Sequence, residues 1–168
     1  LTASRQDAIV LFLSDHGDML GERGLWFKMN FFEGSARVPL MVAAPGLAPG
    51  RIDTPVSTID VTPTLCDLAG ISMIDVLAWT DGESLVPLAQ GMARQSPVAM
   101  EYAAEGSWAP LVALRKGKWK YIRCALDPEL LFDLGTDPAE RVNRADDPAA
   151  RAILDEMRGI ADARWDLA

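Results

Sequence analysis

The sequence predicts an α/β fold in which the end of a larger sheet is followed by a small antiparallel sheet and a closing C-terminal helix. Three observations support this order. Residues 8–13 form an unbroken apolar run, residues 96–134 hold several short strand patterns, and residues 148–163 repeat apolar positions at helical period. We expect two parts, an α/β core portion at residues 1–95 and an antiparallel-sheet subdomain with a closing helix at residues 96–168.

The first strand is predicted from the run AIVLFL at residues 8–13, which shows no polar alternation. Such a run is typical of a strand buried on both faces of a parallel sheet. It ends in the polar residues 14–18, and ligands in open α/β sheets bind beyond the carboxyl ends of the strands. A glycine-punctuated loop rich in large apolar residues follows, and residues 38–43 predict a second buried strand.

Two helices are predicted in the first part of the chain. Residues 60–69 have helical spacing, with Asp60 or Thr62 as the cap and Gly70 as the stop. Three apolar residues share one face of this helix: Val61, Leu65 and Leu68. A shorter helix is expected over residues 84–90.

The second part has the pattern of a meander of short strands. Four strands are predicted, at residues 98–102, 109–115, 119–123 and 130–134, with a hairpin turn at residues 116–118. The closing helix at residues 148–163 should direct three residues inward: Ile153, Met157 and Ile160.

Composition excludes several classes of protein. With 168 residues, 49% apolar and 24% charged, the chain has the composition of an ordinary globular domain. A net charge of −8 argues against nucleic acid or an anionic membrane as partner, since both require a basic surface. The two cysteines, Cys66 and Cys124, are too few for a disulfide framework, and we expect two buried thiols. The absence of an initiating Met leads us to expect a chain cut from a longer one. Assembly into a homo-oligomer is left open by the sequence.

The adjacent pair Asp15 and His16 is the sharpest chemical feature. A carboxylate and an imidazole at a strand end offer oxygen and nitrogen ligands to one divalent cation. His16 is also the only histidine in the chain. The alternative is a turn-capping Asp followed by a histidine that hydrogen-bonds to the backbone.

Lys28 lies in an aromatic stretch twelve residues after His16, where its ammonium could be aimed at a bound oxyanion. The alternative is an ordinary solvated lysine. Three charged residues between them are expected to form a salt-bridged loop: Asp18, Glu22 and Arg23. Trp26 is the one tryptophan close enough in sequence to serve as an aromatic contact for a quaternary ammonium group.

Two other patterns have simpler interpretations. The basic residues of the predicted hairpin are expected to form a solvated strand face: Arg115, Lys116, Lys118, Lys120 and Arg123. The tryptophans are dispersed along the chain, which favours packing in the core or at an interface over an aromatic cage.

Several segments together carry a resemblance to a known family. They are SDHGDMLGERGLWFK at residues 14–28, FEGSARVPL at 32–40, DVTPTL at 60–65, DGESL at 81–85, KYI at 120–122 and LFDLGTDPAE at 131–140. In this order they resemble type I sulfatases of the alkaline-phosphatase superfamily. Residues 18–37 are most similar to choline sulfatases and the neighbouring phosphonate monoester hydrolases. The resemblance implies the C-terminal part of an alkaline-phosphatase-like sulfatase fold.

The resemblance also implies functions for the candidate residues. Asp15 and His16 would ligate a divalent cation, calcium, magnesium or manganese, and Lys28 would contact the sulfate of a small-molecule sulfate ester. In the family the nucleophile is a formylglycine made from the Cys of a Cys-x-Pro-x-Arg motif. Neither Cys66 nor Cys124 begins such a motif, so this nucleophile is expected upstream and the chain alone should hydrolyse little or nothing. The alternatives are a phosphonate monoester or phosphodiester hydrolase and a non-catalytic truncated module.

Overall fold

The computed structural model describes residues 7–94 and 96–166 and contains both helices and antiparallel strands. The strands are β1 Val10–Leu13, β2 Leu40–Ala43, β3 Val98–Tyr102, β4 Leu111–Lys116, β5 Trp119–Cys124 and β6 Asp127–Asp133. The helices are α1 Glu33–Ala36, α2 Val61–Leu68, α3 Met73–Leu77, α4 Val86–Ala89 and α5 Arg151–Arg164. The mixed α/β class predicted from the sequence is confirmed. Among the residues described, no helix has the length and apolarity that crossing a membrane requires.

The described residues group into two units. The first contains residues 7–15 and 39–94, and the second contains residues 16–38 and 96–166. The loop that follows β1 therefore groups with the later antiparallel sheet, although it lies early in the chain. The predicted domain division at residue 95 stays a prediction.

In the first unit, β1 and β2 form an antiparallel ribbon in which Phe12 is the register partner of Met41. Both of these side chains are more than half exposed. The expectation of a strand buried on both faces of a parallel sheet is therefore wrong for the described part of this unit. The apolar run correctly predicts that both faces of the strand are apolar. Burial of these faces also requires helices or other layers that pack against them.

The helix α2 is preceded by a 3₁₀ turn at Thr58–Asp60. Its buried residues are Pro63 and Thr64, whereas Leu65, which lies on the predicted apolar face, is 39% exposed. Asp60 does not cap α2 with its side chain. Its fully buried carboxylate instead accepts from the amides of Ser57 and Glu83 at 2.8 and 2.9 Å and pairs with Arg94 at 2.6 Å.

The second unit contains a sheet in the order β3-β4-β5-β6, with every neighbouring pair antiparallel. The four predicted strands and the turn at Gly117 are confirmed, with strand ends shifted by up to three residues. Alternate residues of β4, β5 and β6 belong to two different clusters, as the two-residue period of a strand requires. Leu114, Tyr121 and Leu131 pack with α5, whereas Ala113, Ile122 and Phe132 pack with Phe31.

The helix α5 covers one face of this sheet through three buried residues, Leu154, Met157 and Ala161. Met157 was predicted to face inward, and Ile153 and Ile160 are half-buried at the edge of the same cluster. Burial of side chains such as Leu154 and Met157 contributes about 1.5–3 kcal/mol each to the stability of the unit. Cys66 and Cys124 are unpaired as expected, but both are half-buried.

Candidate functional site

His16 and Lys28 lie in contact within the second unit, with 2.9 Å between His16 Nε2 and Lys28 Nζ. The other ring nitrogen, Nδ1, lies 2.8 Å from the carbonyl oxygen of Gly17. Because a carbonyl oxygen only accepts hydrogen bonds, Nδ1 carries the proton and Nε2 presents its lone pair. The Lys28 ammonium donates to that lone pair. The two candidate side chains therefore lie together, and their assignment to a metal and a sulfate stays a prediction.

The position of His16 depends on a close backbone approach at Gly17. The Gly17 amide donates to the carbonyl of Ser35 at 2.8 Å. A Cβ at position 17 would lie 2.1 Å from the carbonyl oxygen of Gly34, which is far closer than any side chain permits. Only glycine therefore fits between His16 and the segment that contains Ser35.

The side chain of Lys28 is exposed, and a buried residue contacts the backbone of Lys28 instead. The hydroxyl of Ser35 donates to the Lys28 carbonyl oxygen at 2.6 Å. Ser35 is only 3% exposed and lies on α1. One buried serine thus contacts the backbone beside His16 and the backbone of Lys28.

The loop between His16 and Lys28 is fixed by Arg23, which has a left-handed backbone with φ of 56°. Its guanidinium lies 4.1 Å from the centroid of the Phe32 ring and donates to the Ala139 carbonyl at 3.0 Å. A cation over an aromatic face contributes roughly 0.5–1 kcal/mol where it is exposed to solvent. The expectation of a salt bridge is therefore wrong for Arg23, whose partners are the Phe32 ring and backbone carbonyl oxygens.

Asp15 is exposed and groups with the first unit, directly before His16 in the chain. The Ser14 hydroxyl lies 3.4 Å from its Oδ1 atom. Across residues 7–94 and 96–166, no three His, Cys, Asp or Glu side chains come together as a complete metal site. The assignment of Asp15 and His16 as metal ligands stays a prediction.

Trp26 is 63% exposed, and a Cβ on Gly21 would lie 3.7 Å from its Cζ2 atom. The indole therefore lies over the glycine turn with most of its ring open to solvent. Trp79 and Trp108 are also exposed, so none of these three residues packs in the core, and packing at an interface stays a prediction. The role of Trp26 as a substrate contact stays a prediction.

A buried ion cluster of Lys120, Glu33 and Glu140 lies next to α1, and it was not predicted from the sequence. Lys120 is 1% exposed, and its Nζ atom contacts the Glu33 carboxylate, Glu140 Oε1 at 2.9 Å and the Phe31 carbonyl at 2.9 Å. The expectation of a solvated basic face is wrong for Lys120. This residue alternates with Tyr121 on β5 and so projects to the face that residues 31–33 cover.

Glu140 completes this cluster from the loop after β6. It has a left-handed backbone with φ of 54°, and its Oε2 atom accepts from the Glu33 amide at 2.7 Å. Its Oε1 atom makes no well-directed hydrogen bond, so the Lys120 contact is an ion pair. The signal in the sequence was indirect: Glu33, Lys120 and Glu140 all lie in segments that carry the family resemblance.

Comparison with protein families gives one match, over residues 21–163, to the C-terminal domain of N-sulphoglucosamine sulphohydrolase. The matched range includes Trp26 and Lys28 and begins after Asp15 and His16. It covers most of the chain and both the loop at the candidate site and the antiparallel sheet.

A choline-sulfatase of Rhizobium meliloti (strain 1021) is 63% identical over 172 aligned positions, which cover 99% of this chain and 34% of the relative. The chain therefore spans about a third of the length of the relatives it matches. Identity at this level supports a common fold along the whole aligned region.

Solved structures agree with this match. A 2-O GAG sulfatase superposes with a TM-score of 0.79 at 33% identity, over 92% of this chain and 35% of that one. The phosphonate monoester hydrolase of Agrobacterium radiobacter superposes with a TM-score of 0.74 at 29% identity, over 92% of this chain and 34% of that one. The chain belongs to the type I sulfatase family, and it corresponds to the C-terminal portion of those enzymes.

Proposed function

We propose that this chain forms part of a choline-sulfatase-like enzyme that hydrolyses a small-molecule sulfate monoester. The observation that carries the proposal is the contact between Lys28 Nζ and the lone pair of His16 Nε2. This contact brings a ring nitrogen with an available lone pair next to a cation suited to an oxyanion. The identity with the choline-sulfatase of Rhizobium meliloti supports the substrate class.

Asp15 and His16 would hold a divalent cation, calcium, magnesium or manganese. The carboxylate oxygen of Asp15 fits all three cations, whereas the imidazole nitrogen of His16 is a ligand type more usual for zinc, copper, iron and nickel. The hydrogen bond from His16 Nδ1 to the Gly17 carbonyl also fits, because metal-binding histidines usually donate their other N–H to such an acceptor. A bound cation at this place supplies positive charge that stabilises developing oxyanions.

Lys28 would bind the sulfate group through its ammonium. The His16 Nε2 lone pair accepts only one partner at a time. When that lone pair serves as a ligand, the Lys28 ammonium needs a new acceptor, and a sulfate oxygen meets that need. The positive charge of Lys28 would then stabilise the charge that builds up on the oxygens of the sulfate in the transition state.

The chain does not contain the Cys-x-Pro-x-Arg sequence of a formylglycine nucleophile. We therefore expect the nucleophile and the remaining metal ligands from a part of the enzyme that these 168 residues do not include. In this proposal the chain alone supplies sulfate and metal contacts and hydrolyses little or nothing.

The second candidate is a phosphonate monoester or phosphodiester hydrolase. The likeness to the Agrobacterium radiobacter phosphonate monoester hydrolase supports it. A metal ion and a lysine serve sulfuryl and phosphoryl transfer equally, since both involve tetrahedral oxyanions. A non-catalytic module is the third candidate, and a missing nucleophile motif in the full-length gene would favour it.

The test joins this chain to its native upstream sequence and compares choline sulfate, an aryl sulfate and a phosphonate monoester. We expect the largest kcat/KM with choline sulfate and no measurable turnover by the 168-residue chain alone. A full-length enzyme that carries the nucleophile motif and hydrolyses only phosphonates would overturn the choice of substrate.

A further inference from the structure

We propose that Ser35 is a positioning residue that sets the distance between His16 Nε2 and Lys28 Nζ. The geometric part of this inference stands on the contacts of the second unit alone. Its consequence for catalysis rests on the proposed function.

Ser35 joins the two ends of the loop that separates His16 from Lys28. Its carbonyl oxygen accepts from the amide of Gly17, the residue after His16, at 2.8 Å. Its hydroxyl donates to the carbonyl of Lys28 at 2.6 Å. Gly17, whose carbonyl contacts the imidazole, and the backbone of Lys28 are therefore both hydrogen-bonded to one residue.

Burial makes the hydroxyl difficult to replace. Ser35 is almost completely excluded from solvent, so water has little access to the position of its Oγ atom. Removal of the hydroxyl would take away one of two donors of the Lys28 carbonyl, which also accepts from the amide of Asn30 at 2.7 Å. The carbonyl would stay hydrogen-bonded, but the Lys28 backbone would lose its link to α1.

Ser35 is itself held in place from behind. The helix α1 is only four residues long, and its first residue, Glu33, donates its amide to Glu140 Oε2 at 2.7 Å. Lys120 donates to the Phe31 carbonyl at 2.9 Å just before this helix. The buried ion cluster thus anchors the segment on which Ser35 lies to β5 and to the loop after β6.

The inference predicts a selective effect of Ser35→Ala. The Gly17 amide still bonds to the backbone of residue 35, so His16 keeps its place, whereas Lys28 keeps only its local hydrogen bond from the Asn30 amide and loses its link to residue 35. A displacement of about 1 Å at a catalytic group can reduce the rate by about 100-fold. Because Lys28 would act on charge that develops in the transition state, kcat should fall more than KM rises.

His16 provides a direct probe because it is the only histidine in the chain. In the 168-residue protein, the ¹⁵N chemical shift of Nε2 reports whether Lys28 donates to its lone pair. The variant Lys28→Met supplies the reference chemical shift of His16 Nε2 in the absence of the hydrogen bond from Lys28. Ser107→Ala is the matched control, since the Ser107 hydroxyl also donates to a backbone carbonyl in the same unit, that of Ala109.

Ser35→Ala should move the Nε2 signal at least halfway to its position in Lys28→Met, with Ser107→Ala superimposable on wild type. Thermal unfolding of both serine variants should be similar, which separates positioning from general stability. The inference is overturned if the signals of Ser35→Ala and wild type coincide, or if Lys28→Met itself leaves the signal unchanged.

In the full-length enzyme, Ser35→Ala should lower kcat for choline sulfate by about 10- to 100-fold, whereas Ser107→Ala should not. If the wild-type enzyme hydrolyses no sulfate ester, the proposed function fails while the chemical-shift result still decides the geometry. If the enzyme is active and Ser35→Ala retains its full kcat, the role of Ser35 in catalysis is refuted.

Discussion

Lys120 Nζ lies 2.9 Å from Glu140 Oε1, and both side chains are almost completely buried. The Glu33 carboxylate contacts the same ammonium, so one positive charge faces two negative charges. Buried ions of this kind are costly to desolvate, and the loss of one partner leaves the others uncompensated. The cluster is therefore a sensitive point in the second unit.

Lys120→Met should destabilise the protein strongly, by about 3–5 kcal/mol, because two carboxylates lose the ammonium with which both of them pair. Urea unfolding gives the difference. The control Lys118→Met removes a partly exposed ion pair with Asp133 and should cost no more than about 1 kcal/mol. Equal losses for the two variants would contradict the structural importance of the buried cluster.

The Arg158 guanidinium donates from Nε to both oxygens of Glu129, at 3.0 and 2.9 Å. These hydrogen bonds hold the pKa of Glu129 below its ordinary value. A carboxyl group with a depressed folded-state pKa stabilises the fold above the pKa of the unfolded chain. That stabilisation is lost as the pH falls through the folded-state pKa.

Arg158→Leu should therefore lower stability by about 1 kcal/mol at about pH 7, and this loss should shrink as the pH falls through the lowered folded-state pKa of Glu129. Urea unfolding over a series of pH values measures this. Arg151→Leu removes an exposed pair with Asp155 on the same helix and should cost only about 0.3–0.5 kcal/mol. A pH-independent effect of Arg158→Leu would refute the pairing.

Two glycine substitutions should have opposite effects. Gly17→Ala places a Cβ 2.1 Å from the Gly34 carbonyl oxygen, so the backbone must separate there. Gly159 lies in α5 with open space around its Cα, so Gly159→Ala should stabilise by about 0.5–1 kcal/mol. Thermal unfolding compares the two, and a neutral Gly17→Ala would contradict the close approach beside His16.

Trp26→Ala tests the proposed contact with a quaternary ammonium group. In the full-length enzyme we expect KM for choline sulfate to rise by about fivefold, the equivalent of roughly 1 kcal/mol for an exposed cation–π contact, with KM for an aryl sulfate unchanged. Trp108→Ala is the control, because Trp108 is 97% exposed. An equal rise for both substrates would argue against a role in choline recognition.

The strand pattern of the second unit was predictable because it depends on local alternation. The residues of β4 to β6 alternate between two buried clusters, and that period is visible in the sequence. The helix α3 was not predicted, since its five residues are too few for a helical period to show. The exposure of β1 could not be predicted either, because it depends on which layers cover the strand.

His16 and Lys28 were predicted as site residues with the help of the family resemblance, and their side chains lie in contact in the structure. The residues that support this contact from behind were not predicted. A lysine in a strand of basic residues indicates a solvated face, and Lys120 is buried only because Glu33 and Glu140 meet it from distant parts of the chain. Ser35 was equally invisible, since its role depends on the simultaneous approach of Gly17 and Lys28.

The most direct test of the account measures the metal content of the full-length enzyme with His16→Ala, beside wild type and Ser107→Ala. Because His16 presents an unprotonated Nε2, its removal should lower the bound calcium, magnesium or manganese per protein by at least half, while Ser107→Ala matches wild type. Unchanged metal content in His16→Ala, in a protein that remains folded, would contradict the assignment of His16 as a ligand.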